Sequence, residues 1–272
     1  MQKWAFINDG FIAEEKACIH FRDLSIQRGY GVFDFFKLKG NEPVFLDDHL
    51  NRFFYSASQM HLHVGKTEEE LKDILTKLIS KNEFPDSGIR ITLTGGYSPD
   101  GYQIAEPNLI ISQQNFQALT TAHLEKGIRL VTYEHQRQLP SVKTIDYLMP
   151  IWLQPHIKTH NADDVLYYGN NMVTECPRSN FFLVTNQDKI ITPKDNILKG
   201  ITRKKLLEIA AKDFEVAEEN ITLGELSTAK EAFITSTTKT ILPVTSINGS
   251  TIGNRTAGLV TKKLLQLWQS AL

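Results

Sequence analysis

The stretch Val173–Val184, VTECPRSNFFLV, sets a short polar turn (Thr174 to Asn180) between a hydrophobic approach, Val165–Tyr168 (VLYY), and an apolar run, Phe181–Val184. Four consecutive apolar residues bounded by turn residues predict a buried strand rather than a helix. Glu175 then stands at the edge of a sheet, where a carboxylate is costly to bury without a cationic or protonated partner. Taken alone, it reads first as a solvated loop acid. Its neighbours in the chain change that reading.

Downstream, Leu198-Lys199-Gly200-Ile201-Thr202-Arg203 opens an amphipathic helix carrying Leu206, Leu207, Ile209 and Ala210. A glycine leading into a helix whose first turn carries Thr202 and Arg203 suits an anion, because free amides, the helix dipole and a hydroxyl converge there. An ordinary capped helix fits the same residues. Glu231–Ile234 (EAFI) predicts a strand running into Thr235-Ser236-Thr237-Thr238-Lys239-Thr240. Five hydroxyls in six residues are more than a turn needs and would make a second set of donors for a phosphate. Ile241–Val244 resumes the sheet, Asn248-Gly249 predicts a hairpin turn, and Ala257–Leu272 predicts a closing helix.

Upstream, Ile128–Tyr133 predicts a strand, followed by the polar run Glu134–Ser141. Val142–Leu148 then leads into an apolar helix to about His160, and composition alone does not distinguish Lys143 from other lysines. The first half opens with short strands at Trp4–Asn8 and Phe11–Ile12, split by the turn signal Asp9-Gly10. The second half of Ile26–Leu38 predicts another strand. Arg28-Gly29-Tyr30-Gly31 lacks the third glycine and the following helix of a nucleotide loop. A helix capped by Asp47 or Asp48 runs to about Met60 with Leu50, Phe53, Phe54 and Ala57 on one face. His49 and Arg52 read as charges on that helix. A second helix spans Thr67–Lys81, and strands follow at Ile89–Thr94 and Leu109–Ser112. The polar, aperiodic segment Gln113–His123 marks a boundary. The expected organisation is an N-terminal domain over 1–113, a linker over 114–121 and a C-terminal domain over 122–272.

A chain of 272 residues with a formal charge of -1 carries no field that points to nucleic acid or membrane. Two cysteines outside any C-x-x-C pair argue against a disulfide framework and a zinc site. No apolar run approaches the ~20 residues that span a bilayer, and the start MQKWAFINDG lacks a signal-peptide core. A cytoplasmic protein is expected.

One ordered set then stands out: Gly31-Val32-Phe33-Asp34, His49-x-x-Arg52, Lys143-Thr144, Thr174-Glu175-x-x-x-Ser179-Asn180-Phe181-Phe182, Leu198-x-Gly200-Ile201-Thr202-Arg203, and Thr235-Ser236-Thr237-Thr238 with Pro243-Val244. In order and rough spacing this set resembles the fold type IV pyridoxal-phosphate enzymes, which include branched-chain and D-amino-acid aminotransferases and aminodeoxychorismate lyase. The resemblance covers nearly the whole chain. It implies a mixed α/β (α+β) fold of two domains: a small N-terminal α/β domain and a larger C-terminal one with a mixed, barrel-like sheet and helices. It also implies a homodimer acting on amino acids and 2-oxo acids, with the cofactor in the cleft between domains.

By this resemblance Lys143 would form the Schiff base with pyridoxal 5′-phosphate, and its freed amine would move the proton. Glu175 would face the pyridine nitrogen and keep it protonated. Arg52, Ile201, Thr202, Ser236 and Thr237 would hold the phosphate. Tyr147, one turn past Lys143, would bond the cofactor oxygen or the lysine, or simply pack in the core. Phe33, in the segment that reaches the site, would lie on the substrate side.

Departures from the family pattern bear on substrate. Cys176-Pro177-Arg178 replaces the usual small residues after the glutamate, and Arg28 stands where many relatives carry an aromatic. The D-amino-acid enzymes bind the α-carboxylate with an arginine in a Thr-Arg-Gly segment, whereas this chain has Thr94-Gly95-Gly96. Arg90 falls where branched-chain enzymes place a carboxylate-binding arginine. The expectation is an aminotransferase with D-amino acids favoured and branched-chain L-amino acids possible. Its α-carboxylate would be held by Arg28, Arg178 and, as third candidate, Arg90. The alternative is aminodeoxychorismate lyase, which would release pyruvate with the same cofactor and residues.

Overall fold

The computed structural model describes residues 2–116 and 120–271. The chain divides into two compact units, Met1–Gln117 with Val142–Asp146, and Ala118–Ser141 with Tyr147–Leu272. Of the linker expected over 114–121, residues 117–119 lie outside the described residues.

In the first unit, β1 (Trp4–Ile7), β2 (Gly10–Ala13), β3 (Gly31–Lys39), β4 (Glu42–Pro43), β5 (Gly88–Thr94) and β6 (Leu109–Gln114) form a sheet in the order β2-β1-β6-β5-β3-β4. All its pairings are antiparallel. Its helices are α1 (Leu24–Arg28), α2 (Leu46–Gln59) and α3 (Glu68–Asn82). Leu50, Phe53 and Ala57 of α2 and Leu71, Leu75 and Leu78 of α3 share a core with Val32, Phe36, Ile89 and Ile91 of the sheet. Each such burial contributes about 1.5–3 kcal/mol. A capping box starts α3: Thr67 Oγ1 accepts from the Glu70 amide (3.2 Å), and Glu70 Oε2 accepts from the Thr67 amide (2.7 Å). The start of α2 differs from expectation. Phe45, with φ 58°, occupies the cap position, and Asp47 and Asp48 lie inside the first turn, where their charge meets the positive helix end.

The Lys143 segment belongs to this unit because β3 leaves an edge open. β4 covers only Leu38 and Lys39, so the backbone groups around Gly31–Phe33 need another partner. The Phe33 amide donates to the Lys143 carbonyl (3.0 Å) and the Ile145 amide to the Gly31 carbonyl (3.0 Å). Position 31 must be glycine here, since a Cβ would come within 2.7 Å of the Leu93 carbonyl and 3.0 Å of Ile145.

In the second unit the strands are β7 (Ile128–Glu134), β8 (Asp164–Gly169), β9 (Met172–Val173), β10 (Glu175–Cys176), β11 (Ser179–Val184), β12 (Ile190–Thr192), β13 (Val216–Glu218), β14 (Ile221–Thr222), β15 (Glu231–Ser236), β16 (Thr240–Ile247) and β17 (Ser250–Thr251). They make one mixed sheet, parallel where β7 meets β8 and β16 and where β12 meets β13. The buried strand expected at Phe181–Val184 is present, with every residue of β11 buried. Phe181, Leu183, Ile234, Leu242 and Val244 form its core, while Phe182 stacks on Phe233 at 4.8 Å. The architecture is thus the mixed α/β one expected, with a sheet and helices in each unit.

The helix expected from Leu148 to His160 is two pieces, α5 (Leu148–Trp152) and α6 (Gln154–Thr159), after α4 (Thr121–Lys126). Pro155 explains the break, because it has no N–H for the fourth carbonyl back and its ring crowds that carbonyl. After α7 (Ile201–Ala210), the closing helix α8 (Leu259–Ala271) is capped from a distance. Glu231 accepts from the Val260 amide (3.0 Å), the Thr261 amide (2.9 Å) and the Thr261 hydroxyl (2.7 Å).

Candidate active site

In the first unit, Asp34 on β3 organises the neighbours of Arg52. Its carboxylate accepts from Arg52 Nε and Nη2, both at 2.8 Å, and lies 2.7 Å from His49 Nδ1. His49, Arg52 and Ser56 fall at i, i+3 and i+7 on α2, so one helical face carries all three. Ser56 Oγ accepts from the Lys143 amide (3.2 Å), which brings the lysine segment to that same face. Burial alone would raise the Asp34 carboxyl, but Arg52 and His49 outweigh it and hold it well below the usual carboxylate range. Burial pushes the His49 imidazole down, so the ring is neutral and donates Nδ1–H to Asp34. The solvated helix charges read from sequence are in fact one buried network, and Arg52 is oriented by a bidentate fork.

Phe33 is buried on the same strand. The Lys143 Nζ lies 4.5 Å and the Arg90 guanidinium carbon 4.4 Å from its ring centroid, so one ring carries two cations. The structure therefore brings Lys143, Phe33 and Arg90 together. Arg28 ends α1 and is exposed, with Nη1 on the Gln27 carbonyl (2.9 Å). The loop after β5 excludes side chains. A Cβ on Gly96 (φ 79°) would fall 2.1 Å from the Glu106 carbonyl oxygen, and one on Gly95 2.9 Å from Leu24 and Tyr30. Packing against backbone forbids an arginine at Gly96, and one at Gly95 would need Leu24 and Tyr30 to shift.

In the second unit, Glu175 is 4 % exposed on β10. Its Oε2 accepts from the Leu198 amide at 3.0 Å and faces Asn180 Nδ2 at 3.5 Å. Its Oε1 accepts from Arg137 Nη1 at 2.9 Å. Asn180 also donates to the Leu198 carbonyl (2.7 Å), and a Cβ on Gly200 would strike Asn180 Oδ1 at 2.2 Å. The glycine before α7 is thus a packing requirement of the glutamate's support. That helix starts at Gly200 with no side-chain cap and no acid in its first turn, and Ile201 and Thr202 are buried there. Arg203, expected with Thr202 at that anion-holding end, instead turns away to the Pro193 carbonyl and Glu218, which take up its guanidinium.

Thr235 pairs with Asn180 across β11 and β15, so both side chains lie on one face. Its hydroxyl is buried without a partner. Ser236 Oγ accepts from the Lys239 amide (3.1 Å), closing the loop that holds Thr237. Tyr147 sits at the cap position of α5. Arg178 is exposed at the tip of the β10–β11 hairpin. Cys176 is 1 % exposed, and burial pushes its thiol well up, so it packs as a small neutral side chain. Sequence reasoning missed Arg137 altogether: it lies 38 residues before Glu175 in a polar run with no period.

Residues 31–247 match the family model "Amino-transferase class IV", and the chain belongs to that family. It is an aminotransferase of class IV. The D-alanine aminotransferase of Staphylococcus haemolyticus is 29% identical over 265 residues, covering 95% of this chain and 94% of the relative. A putative branched-chain-amino-acid aminotransferase of Methanocaldococcus jannaschii is 30% identical over 271 residues, covering 95% and 93%. The crystal structure of the Escherichia coli branched-chain amino acid aminotransferase superposes with a TM-score of 0.92 at 23% identity, covering 99% of this chain and 94% of that one, a likeness of fold.

Proposed function

We propose that the chain is a pyridoxal 5′-phosphate enzyme that moves an amino group between an α-amino acid and a 2-oxo acid. D-amino acids are the favoured donors and branched-chain L-amino acids the alternative. The observation that carries this reading is Glu175, a buried carboxylate held on both oxygens. The remaining donors fit a phosphorylated pyridine. An uncapped helix end with Thr202 suits a phosphate, and the orphaned Thr235 hydroxyl is a buried polar atom without a partner. The placement of Gly200 against Asn180 keeps that helix end and the glutamate in fixed relation.

When bound, the cofactor supplies an electron sink for the substrate Cα. Glu175 holds the proton on the ring nitrogen, as only an ionised carboxylate can. Lys143 carries the proton to and from the substrate Cα, which requires its amine free of a proton at that moment. Arg52, Ile201, Thr202, Ser236 and Thr237 hold the phosphate, and Tyr147 orients the ring or the lysine. Arg28 and Arg178, with Arg90 as the third candidate, take the substrate α-carboxylate, and Phe33 lines the substrate side.

We read the protein as a cytoplasmic homodimer. The apolar face of α5 supports the dimer, since Leu148, Ile151 and Trp152 are 77%, 61% and 63% exposed. Mixing the cofactor-loaded protein with single D- and L-amino acids, and following the cofactor absorbance, tests the substrate class. A response to branched-chain L-amino acids alone would overturn the D preference. Aminodeoxychorismate lyase, acting with the same cofactor and residues, is the alternative reading. Pyruvate released from aminated chorismate without a 2-oxo acid acceptor would decide for the lyase.

A further inference from the structure

We propose that Arg137 is the residue that keeps Glu175 ionised and aimed, a positioning residue acting on the cofactor's ring nitrogen through that carboxylate. The inference rests on the pyridoxal-phosphate reading above. A carboxylate as buried as Glu175 would take up a proton if it stood alone, and a neutral acid cannot hold a proton on a pyridine nitrogen. Two neutral amides, from Leu198 and Asn180, serve its Oε2 but bring no charge. Arg137 brings one. Its side chain is 19% exposed against 6% for Glu175, and its Nη1 lies 2.9 Å from Oε1.

The same Nη1 donates to the Pro140 carbonyl at 3.1 Å. That second bond fixes where the guanidinium stands, so the carboxylate is met from one direction rather than by a mobile ion. Arginine suits the task because its cation does not lose its proton in proteins and the two hydrogens of Nη1 meet one acceptor each. Asp164 and Lys239 pair with each other at 3.5 Å nearby.

A double-substitution cycle tests this on four proteins: the unaltered chain, R137Q, E175Q and R137Q/E175Q. Two quantities are read, the dissociation constant for pyridoxal 5′-phosphate by tryptophan fluorescence and the visible band of the bound cofactor across pH. R137Q should weaken binding about tenfold or more and move the band's pH midpoint, a charged hydrogen bond's worth. In the E175Q background the same substitution should change both by less than about twofold, because its target has gone. Equal effects in both backgrounds would make Arg137 a merely structural residue and overturn the proposal, as would no effect in the unaltered background. Should R137Q fail to fold, R137M, which keeps the apolar stem and removes the charge, enters the cycle in its place and should show the same loss of effect beside E175Q. Failure of the unaltered protein to bind the cofactor would instead remove the reading beneath.

Discussion

Arg52 and Asp34 form a two-point pair, Nε to Oδ2 and Nη2 to Oδ1, both at 2.8 Å, with Asp34 fully buried. The fork spends two of the guanidinium's nitrogens on orientation, and the remaining Nη1 is the one proposed for the phosphate. Asp34→Asn loses the charge and one acceptor. It should weaken pyridoxal 5′-phosphate binding by about 1.5–3 kcal/mol while leaving unphosphorylated pyridoxal little changed. Equilibrium dialysis with both compounds checks this, and an equal loss for the two would place the defect elsewhere. Because the Asp34 carboxyl is held down in the fold, its stabilisation is complete above the usual carboxylate value near 4 and is lost as pH falls below that. Asp34→Asn should therefore flatten the fall in Tm between about pH 4 and pH 2.

Lys143 should carry the cofactor covalently. Borohydride reduction followed by peptide mapping should place the label on Lys143 alone. Lys143→Ala should still bind the cofactor through the phosphate donors yet lose transamination by about 100-fold or more. A label on any other lysine would sink the assignment.

Glu175→Gln keeps the shape but removes the charge. Proton abstraction from the amino acid should slow roughly 100–1,000-fold, with the phosphate contacts untouched. Single-turnover kinetics measure it. Near-normal rates would return Glu175 to the role of a buried structural acid.

Arg28→Ala and Arg178→Ala should each reduce kcat/KM for amino and 2-oxo acids by about 1.5–3 kcal/mol, with cofactor binding intact. Both side chains are exposed in the single chain, so a carboxylate clamp built from them is a matter of what the assembled enzyme surrounds them with. Unchanged kinetics in both variants would leave Arg90, 4.4 Å from the Phe33 ring centroid, as the remaining cation.

Trp152→Glu places a charge on the exposed apolar face of α5. Sedimentation should then report monomers at concentrations where the unaltered chain is dimeric. A dimer that withstands the charge would move the interface off α5.

Much of this was legible because it is periodic or punctuated. The buried run Phe181–Val184, the helix with Leu50, Phe53 and Ala57 inward, and the helix beginning near Thr67 all follow from local spacing. The need of Glu175 for a cationic or protonated partner was also legible, and the pyridine nitrogen was the partner expected, but a protein cation beside the carboxylate was not. Arg137 reaches Glu175 across 38 residues of chain, braced by the Pro140 carbonyl. Asp34 looked like one polar residue in a strand, and its value depends on α2 laying His49 and Arg52 across it. Long-range capping is equally silent in sequence: nothing near Leu259 announces that Glu231 will serve its amides. The helix broken at Pro155 and the cap at Phe45 are nearer misses, where one backbone preference outweighed a periodic pattern.

The five residues Val142–Asp146 group with the first unit while the chain on both sides of them groups with the second. The polypeptide thus leaves, returns for one short visit that delivers Lys143, and departs again. Neither unit is a contiguous gene segment. Cutting the coding sequence at the first passage would yield an N-terminal fragment with the rim of β3 bare at Gly31–Phe33 and a C-terminal fragment carrying a lysine with no strand to rest on. Such an arrangement discourages exchange of either half between proteins, because the lysine travels with one piece and its seat with the other.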